Sequence, residues 1–183
     1  MPLFKVVSGG QAGVDRAALD AAMELGIEVG GWCPRGRWAE DGPIADRYPL
    51  SETRSSDVQV RTQRNVETSS ATLVLTRGAP IGGTRYTVEI AESMRRPLFV
   101  IDLNDRLGDH ASAIARFIDE VQPAVLNVAG PRESSAPGVA EQAKRLLVEA
   151  FGRSRHARPE TMEPMKLNAA FAAPEKPAPA LNA

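Results

Sequence analysis

Apolar and polar positions along the chain follow two alternating periods. Phe4–Val7 is a short β-branched, apolar run ending at Ser8-Gly9-Gly10, the pattern of a buried strand. Val14, Ala18, Ala21, Ala22 and Leu25 then recur on one helical face, and Gly26 suits the helix C-terminus. Ile27–Val29 predicts a second, shorter strand, and the stretch from Gly30 to about Ser56 holds neither period. Val58–Thr68 predicts a polar helix. Thr72–Thr76 predicts a third strand, followed by a helix through Val88, Ala91 and Met94 that Pro97 stops. Leu98–Ile101 reads as a fourth strand closed by Asp102. Ala111–Val121 reads as a helix with Ile114, Phe117, Ile118 and Val121 on one face. Ala124–Val128 is the fifth strand, and Pro137 marks the start of a last helix carried by Val139, Ala143, Leu146, Leu147 and Ala150.

Continuous apolar strands separated by helices indicate a parallel sheet covered on both faces. The expected fold is α/β: a doubly wound, mostly parallel sheet of about five strands with helices on both faces. Ligands of such sheets bind beyond the carboxyl ends of the strands, where strand order reverses. The first strand is expected at the centre, with its loop and that of the third strand flanking the crevice.

Composition changes near residue 156. From Ala157 onward the segment is rich in Ala and Pro with balanced charge, which cannot bury enough apolar area to order itself. Residues 1–155 are therefore expected to form one domain and 156–183 a disordered tail. The net charge of −1 gives no reason to expect nucleic acid or an anionic membrane as partner. A single cysteine, Cys33, excludes an intrachain disulfide, and two histidines, His110 and His156, are too few for a closed Cys/His zinc site. With no secretory or membrane-spanning apolar stretch in the sequence, a cytoplasmic protein is expected.

Candidate chemistry gathers in three strand-to-helix loops. The first, Ser8 to Arg16, offers Gly9, Gly10, Gln11 and Gly13, whose backbone N–H groups can approach an anion. Asp15 stands at the helix start, and Arg16 can add a bidentate phosphate contact. The second, Arg77 to Arg85, carries Gly82, Gly83 and the Thr84 hydroxyl. The third starts at Asn127, a polar residue ending an apolar strand, and runs through Gly130 and Arg132 to Gly138. The Gly30–Arg64 stretch interleaves Trp32, Trp38 and arginines, a set suited to a flat, anionic heterocycle. Arg61 and Asn65 lie four apart, on one face of their helix. No carboxylate pair or nucleophile–base spacing marks a catalytic set, so none is assigned.

The blocks SGGQAGVDRAALDAA, GGWCPRGRWAEDGPI, YPLSET, RTQRNV, GGT and LNVAGPRESSAPG, in this order, closely resemble the "putative molybdenum carrier" family. The resemblance spans residues 4 to about 152. It implies a Rossmann-like fold, related to the lonely-guy phosphoribohydrolases and commonly homo-oligomeric. It also implies that the chain binds, protects and transfers molybdenum cofactor, a pterin phosphate carrying molybdenum, to a molybdoenzyme. Phosphate would sit on Gly9–Gly13 and Gly82–Thr84, and the pterin near Trp32 or Trp38. Ala12 departs from the family form, which implies Thr there. The alternative is a nucleotide-binding sensor or a nucleoside-monophosphate phosphoribohydrolase-like enzyme. Thr87 stands where the catalytic Glu of those enzymes would be, with Glu89 two residues on.

Overall fold

The computed structural model describes residues 5–154. The expected tail lies outside the described residues. Five strands form one parallel sheet: β1 (Lys5–Val7), β2 (Val29–Gly30), β7 (Ala71–Thr76), β8 (Leu98–Asp102) and β9 (Val125–Ala129). Between β2 and β7 lie four two-residue strands: β3 (Trp32–Cys33), β4 (Trp38–Ala39), β5 (Gly42–Pro43) and β6 (Ser51–Glu52). The helices are α1 (Val14–Glu24), α2 (Val58–Glu67), α3 (Gly82–Ser93), α4 (His110–Val121) and α5 (Val139–Arg153). No helix among the described residues is long and apolar enough to cross a membrane.

The spatial strand order is β2-β1-β9-β7-β8. The centre is therefore β9, the last strand in sequence, and not β1. The backbone of β9 pairs with β1 on one side (Val7 beside Asn127) and β7 on the other (Thr72 beside Asn127). Counted from β9 as first, the order becomes 3-2-1-4-5, the usual Rossmann arrangement. The fold is thus a Rossmann-like sheet in which the first βα unit has moved to the end of the chain.

The two faces of the sheet differ in chemistry. Val6, Leu73, Leu75, Leu126 and Val128 point to one side and join α1, α4 and α5 in the main apolar core. Because side chains alternate along a strand, Thr72, Thr76 and Asn127 belong to the other side, under α2 and α3. All three are buried.

The element ends have local causes. Past α1, Gly26 takes φ +70, its N–H donates to Met23 O, and Ile27 N–H donates to Ala22 O. This double bond pattern is a Schellman stop, so Ile27 closes the helix and the strand begins only at Val29. Asp57 caps α2 by accepting from Gln59 N–H, and Asp109 caps α4 by accepting from Ser112 N–H. Leu19, Cys33, Ala39, Ile44, Tyr48 and Leu50 form a second small core. It fixes the 30–56 segment against α1 with little regular structure.

Candidate functional site

A cleft of about 550 Å³ opens at the carboxyl ends of β1, β7 and β9. The first loop lines it with Gly9, Gln11 and Asp15, the second with Gly82, Gly83 and Thr84, and the third with Asn127 and Gly130. The fourth wall is one face of α2, where Val58, Arg61, Thr62 and Asn65 recur at i, i+3, i+4 and i+7.

Backbone N–H groups decide which loop can hold an anion. In the first loop several are committed inside the protein, those of Gly10 and Gly13 having no partner among the described residues. Gln11 N–H donates to Asp15 Oδ2, Ala12 N–H to Gln11 Oε1 and Val14 N–H to Pro131 O. Asp15 therefore already occupies the amino end of α1 with its own negative charge. Arg61 Nη1 lies 3.3 Å from Asp15 Oδ2, both side chains only about a tenth exposed. Burial pushes the Asp15 carboxyl up from its ordinary range; the Arg61 charge and the Gln11 amide pull it back only in part. Gly9 is needed here for close approach, because a Cβ on it would lie 1.8 Å from Arg61 Nη1.

The third loop closes on itself in the same way. The Glu133 carboxylate accepts from Gly138 N–H and, at 3.0 Å, from Ala140 N–H, filling the amino end of α5. In the usual Rossmann order this is the turn that seats a dinucleotide pyrophosphate. Here the chain's own carboxylate stands in that place.

The second loop stays open. No side chain caps α3, and among the described residues neither Gly82 nor Gly83 N–H has a partner. A Cβ built on either glycine meets nothing within 4 Å. Thr84, buried and lining the cleft, makes no side-chain hydrogen bond among the described residues. Arg77 braces this loop, donating to Gln142 Oε1 and Pro137 O. Arg132, on the opposite rim, is half exposed, with Glu40 Oε2 at 3.9 Å. Arg61, Arg77 and Arg132 face one lining carboxylate, Asp15, so the cleft favours an anion.

Six residues raised as candidates from the sequence lie outside the cleft. Arg16 bonds Asp41 through both terminal nitrogens, at 2.5 and 2.7 Å, and Gly10 O through Nε. It lines a shallow hollow beside α1 and α5 instead. A Cβ on Gly10 would press on Leu50 and Ile44, and one on Gly13 would lie 2.5 Å from Pro131 O, so both glycines serve packing. Neither tryptophan lines the cleft. Trp32 has its backbone clamped by Asn65, and the Arg64 guanidinium lies 5.9 Å from its ring; Trp38 is 55% exposed on the β4–β5 hairpin. Glu89 pairs with Arg85 on an exposed part of α3, outside the cleft. Sequence reasoning passed over Arg77 and Thr76, at the end of β7, and the Val58 and Thr62 positions of α2. For the latter, the i, i+3, i+4, i+7 spacing was the available signal. No group of three His, Cys, Asp or Glu able to hold a metal ion occurs among the described residues.

The fold and this cleft define a permuted Rossmann-like α/β protein with its opening at the switch point of the sheet. The chain belongs to the circularly permuted YpsA SLOG family, whose model matches residues 6–151. The strand order, with the first βα unit of the Rossmann arrangement at the end of the chain, fits that description. Among solved structures it is similar to the "Putative molybdenum carrier protein" of Syntrophus aciditrophicus SB. The two share 39% identity with a TM-score of 0.75, over 81% of this chain and 94% of that one. No curated protein matches the chain.

Proposed function

We propose that the chain binds molybdenum cofactor, a pterin phosphate bearing molybdenum, in the cleft, protects it, and passes it to a molybdenum-dependent enzyme. One observation carries the reading: of the three helix amino ends at the cleft, those of α1 and α5 hold a carboxylate of the chain itself, Asp15 and Glu133, and that of α3 holds none. The terminal phosphate would take Gly82 and Gly83 N–H and the Thr84 hydroxyl, with Arg132 adding charge from the far rim. The donor set fits this cargo. The metal brings its own sulfur ligands, so the chain needs to supply hydrogen bonds and charge and no metal cage. The name of the Syntrophus protein, 39% identical, supports the choice of cargo.

The test is native mass spectrometry of protein purified gently from its own cells, with metal analysis of the same sample. A bound pterin phosphate with matching molybdenum is expected; a nucleotide without molybdenum overturns the reading. Thr84→Val should weaken binding of the pterin phosphate about tenfold without lowering thermal stability, the effect of losing one hydrogen bond to a charged group. Arg16→Ala should leave binding unchanged, because that guanidinium is held by Asp41.

A further inference from the structure

Four side-chain amides line the cleft: Asn104 is exposed at its rim, and Asn65, Gln11 and Asn127 differ in how far the protein already uses them. Asn65 is fully engaged: Oδ1 accepts from Trp32 N–H at 2.8 Å and Nδ2 donates to Trp32 O at 2.9 Å. Gln11 is half engaged: Oε1 accepts from the N–H groups of Ala12 and Glu40, while its amide nitrogen donates to none of the described residues. Asn127 is 2% exposed, and its side chain bonds to none of the described residues.

We infer that Asn127 reads the ring edge of the bound heterocycle, its carboxamide pairing with an adjacent hydrogen-bond donor and acceptor. The inference deepens the carrier reading and rests on it. A buried amide in the central strand is costly without a partner, and asparagine is a poor strand residue. Its neighbours in sequence, Leu126 and Val128, are apolar core. On the adjacent strand the residue in register is Thr72, whose Oγ1 is also buried and without a partner. Thr72 lies in the sheet and does not line the cleft, but Arg61 does, and its Nε is likewise buried without a partner among the described residues. An unmet amide and an unmet guanidinium nitrogen in one cleft with an open anion seat are what a site presents when its partner is a ligand. A carboxamide offers one donor side and one acceptor side. It therefore matches the lactam edge of a pterin, or the corresponding edge of a purine, whereas a carboxylate ligand, which only accepts, would leave the carboxamide oxygen unmet. The flat ring would lie toward the sheet with its phosphate at α3.

The experiment measures equilibrium binding of three probes to the full chain: 6-hydroxymethylpterin phosphate, adenosine 5′-monophosphate and inorganic phosphate. Wild type is compared with Asn127→Leu and Asn127→Ala, and thermal melts confirm that each is folded; two variants guard against a local clash. Both variants should lose about ten- to a hundredfold in affinity for the pterin phosphate, the range for a two-point pairing with a ring edge. Affinity for inorganic phosphate should not change. If the variants bind the pterin phosphate as wild type does, the inference is overturned while the carrier reading stands. If wild type prefers the adenine nucleotide, the carrier reading fails. The role of Asn127 then stands if the variants lose the nucleotide and falls if they keep it. If wild type binds only inorganic phosphate, both fall.

Discussion

At the residue scale, carboxylates do most of the local positioning, and their surroundings set opposite responses to pH. Asp102, at the end of β8, accepts from Gly78 N–H and Asn104 N–H, both at 2.9 Å. These two amides hold its carboxyl below the ordinary aspartate value of 3.8. A lowered value means that the charged form is favoured in the folded protein. Its contribution is complete above the ordinary value and is lost as pH falls through the folded one. Asp102→Asn keeps an acceptor for both amides but no longer titrates. Its melting temperature should fall less steeply than that of wild type between about pH 4 and pH 2. Circular dichroism melts across that range check this, and parallel slopes would refute it. Asp15 acts in the opposite sense: burial raises its carboxyl, so its contribution is greatest at low pH and is lost as pH rises through the raised value.

The same scale shows why some site residues were legible and one was not. Arg61 and Asn65 share a helix face, and spacing alone predicts that. Asp15 and Arg16 are neighbours, but successive residues on a helix stand about 100° apart. One turned to the cleft and the other to Asp41. Nothing in the loop sequence says which of the two faces the cleft.

At the element scale, the five helices and the strands β1, β7, β8 and β9 were readable, because their periodicity and stops are local. Strand β2 began two residues late, since a helix stop and a strand start compete for the same apolar residue, Ile27. The two-residue strands β3 to β6 are shorter than any period can reveal. Glu133 is an element-scale device, a side chain from the loop that closes the amino end of α5. Glu133→Ala should destabilise the protein by about 1 kcal/mol, the usual cost of a lost cap, lowering the melting temperature by about 2–4 °C. Added phosphate should raise the melting temperature of this variant more than that of wild type, because it reopens an anion seat. Calorimetry with and without phosphate reads both effects, and an unchanged melt would show that the cap contributes nothing.

At the scale of the whole molecule, the strand order could not be read from local patterns. Which strand lies between β1 and β7 depends on pairings across more than fifty residues. Helix α5 runs back from the carboxyl edge of the sheet to its amino edge, where β1 begins, and packs beside α1. A chain rearranged to start just before β9, with a short flexible linker joining Ser154 to Lys5, restores the unpermuted order. It should fold to the same far-ultraviolet spectrum and bind the same ligand. A rearranged chain that fails to fold would show that the present connectivity is itself required.

The position of β9 also governs how the chain comes together during synthesis. The pairs β1–β2 and β7–β8 emerge first, and each has an edge waiting for the same strand. Until β9 arrives, β1 and β7 have no common partner, Asn127 is missing from the cleft, and the main core lacks α5. A partly made chain therefore lacks part of the cleft floor. The cleft is complete only when the sheet is, and the two unpaired edges are the point at which a nascent chain is most exposed to mispairing with another copy.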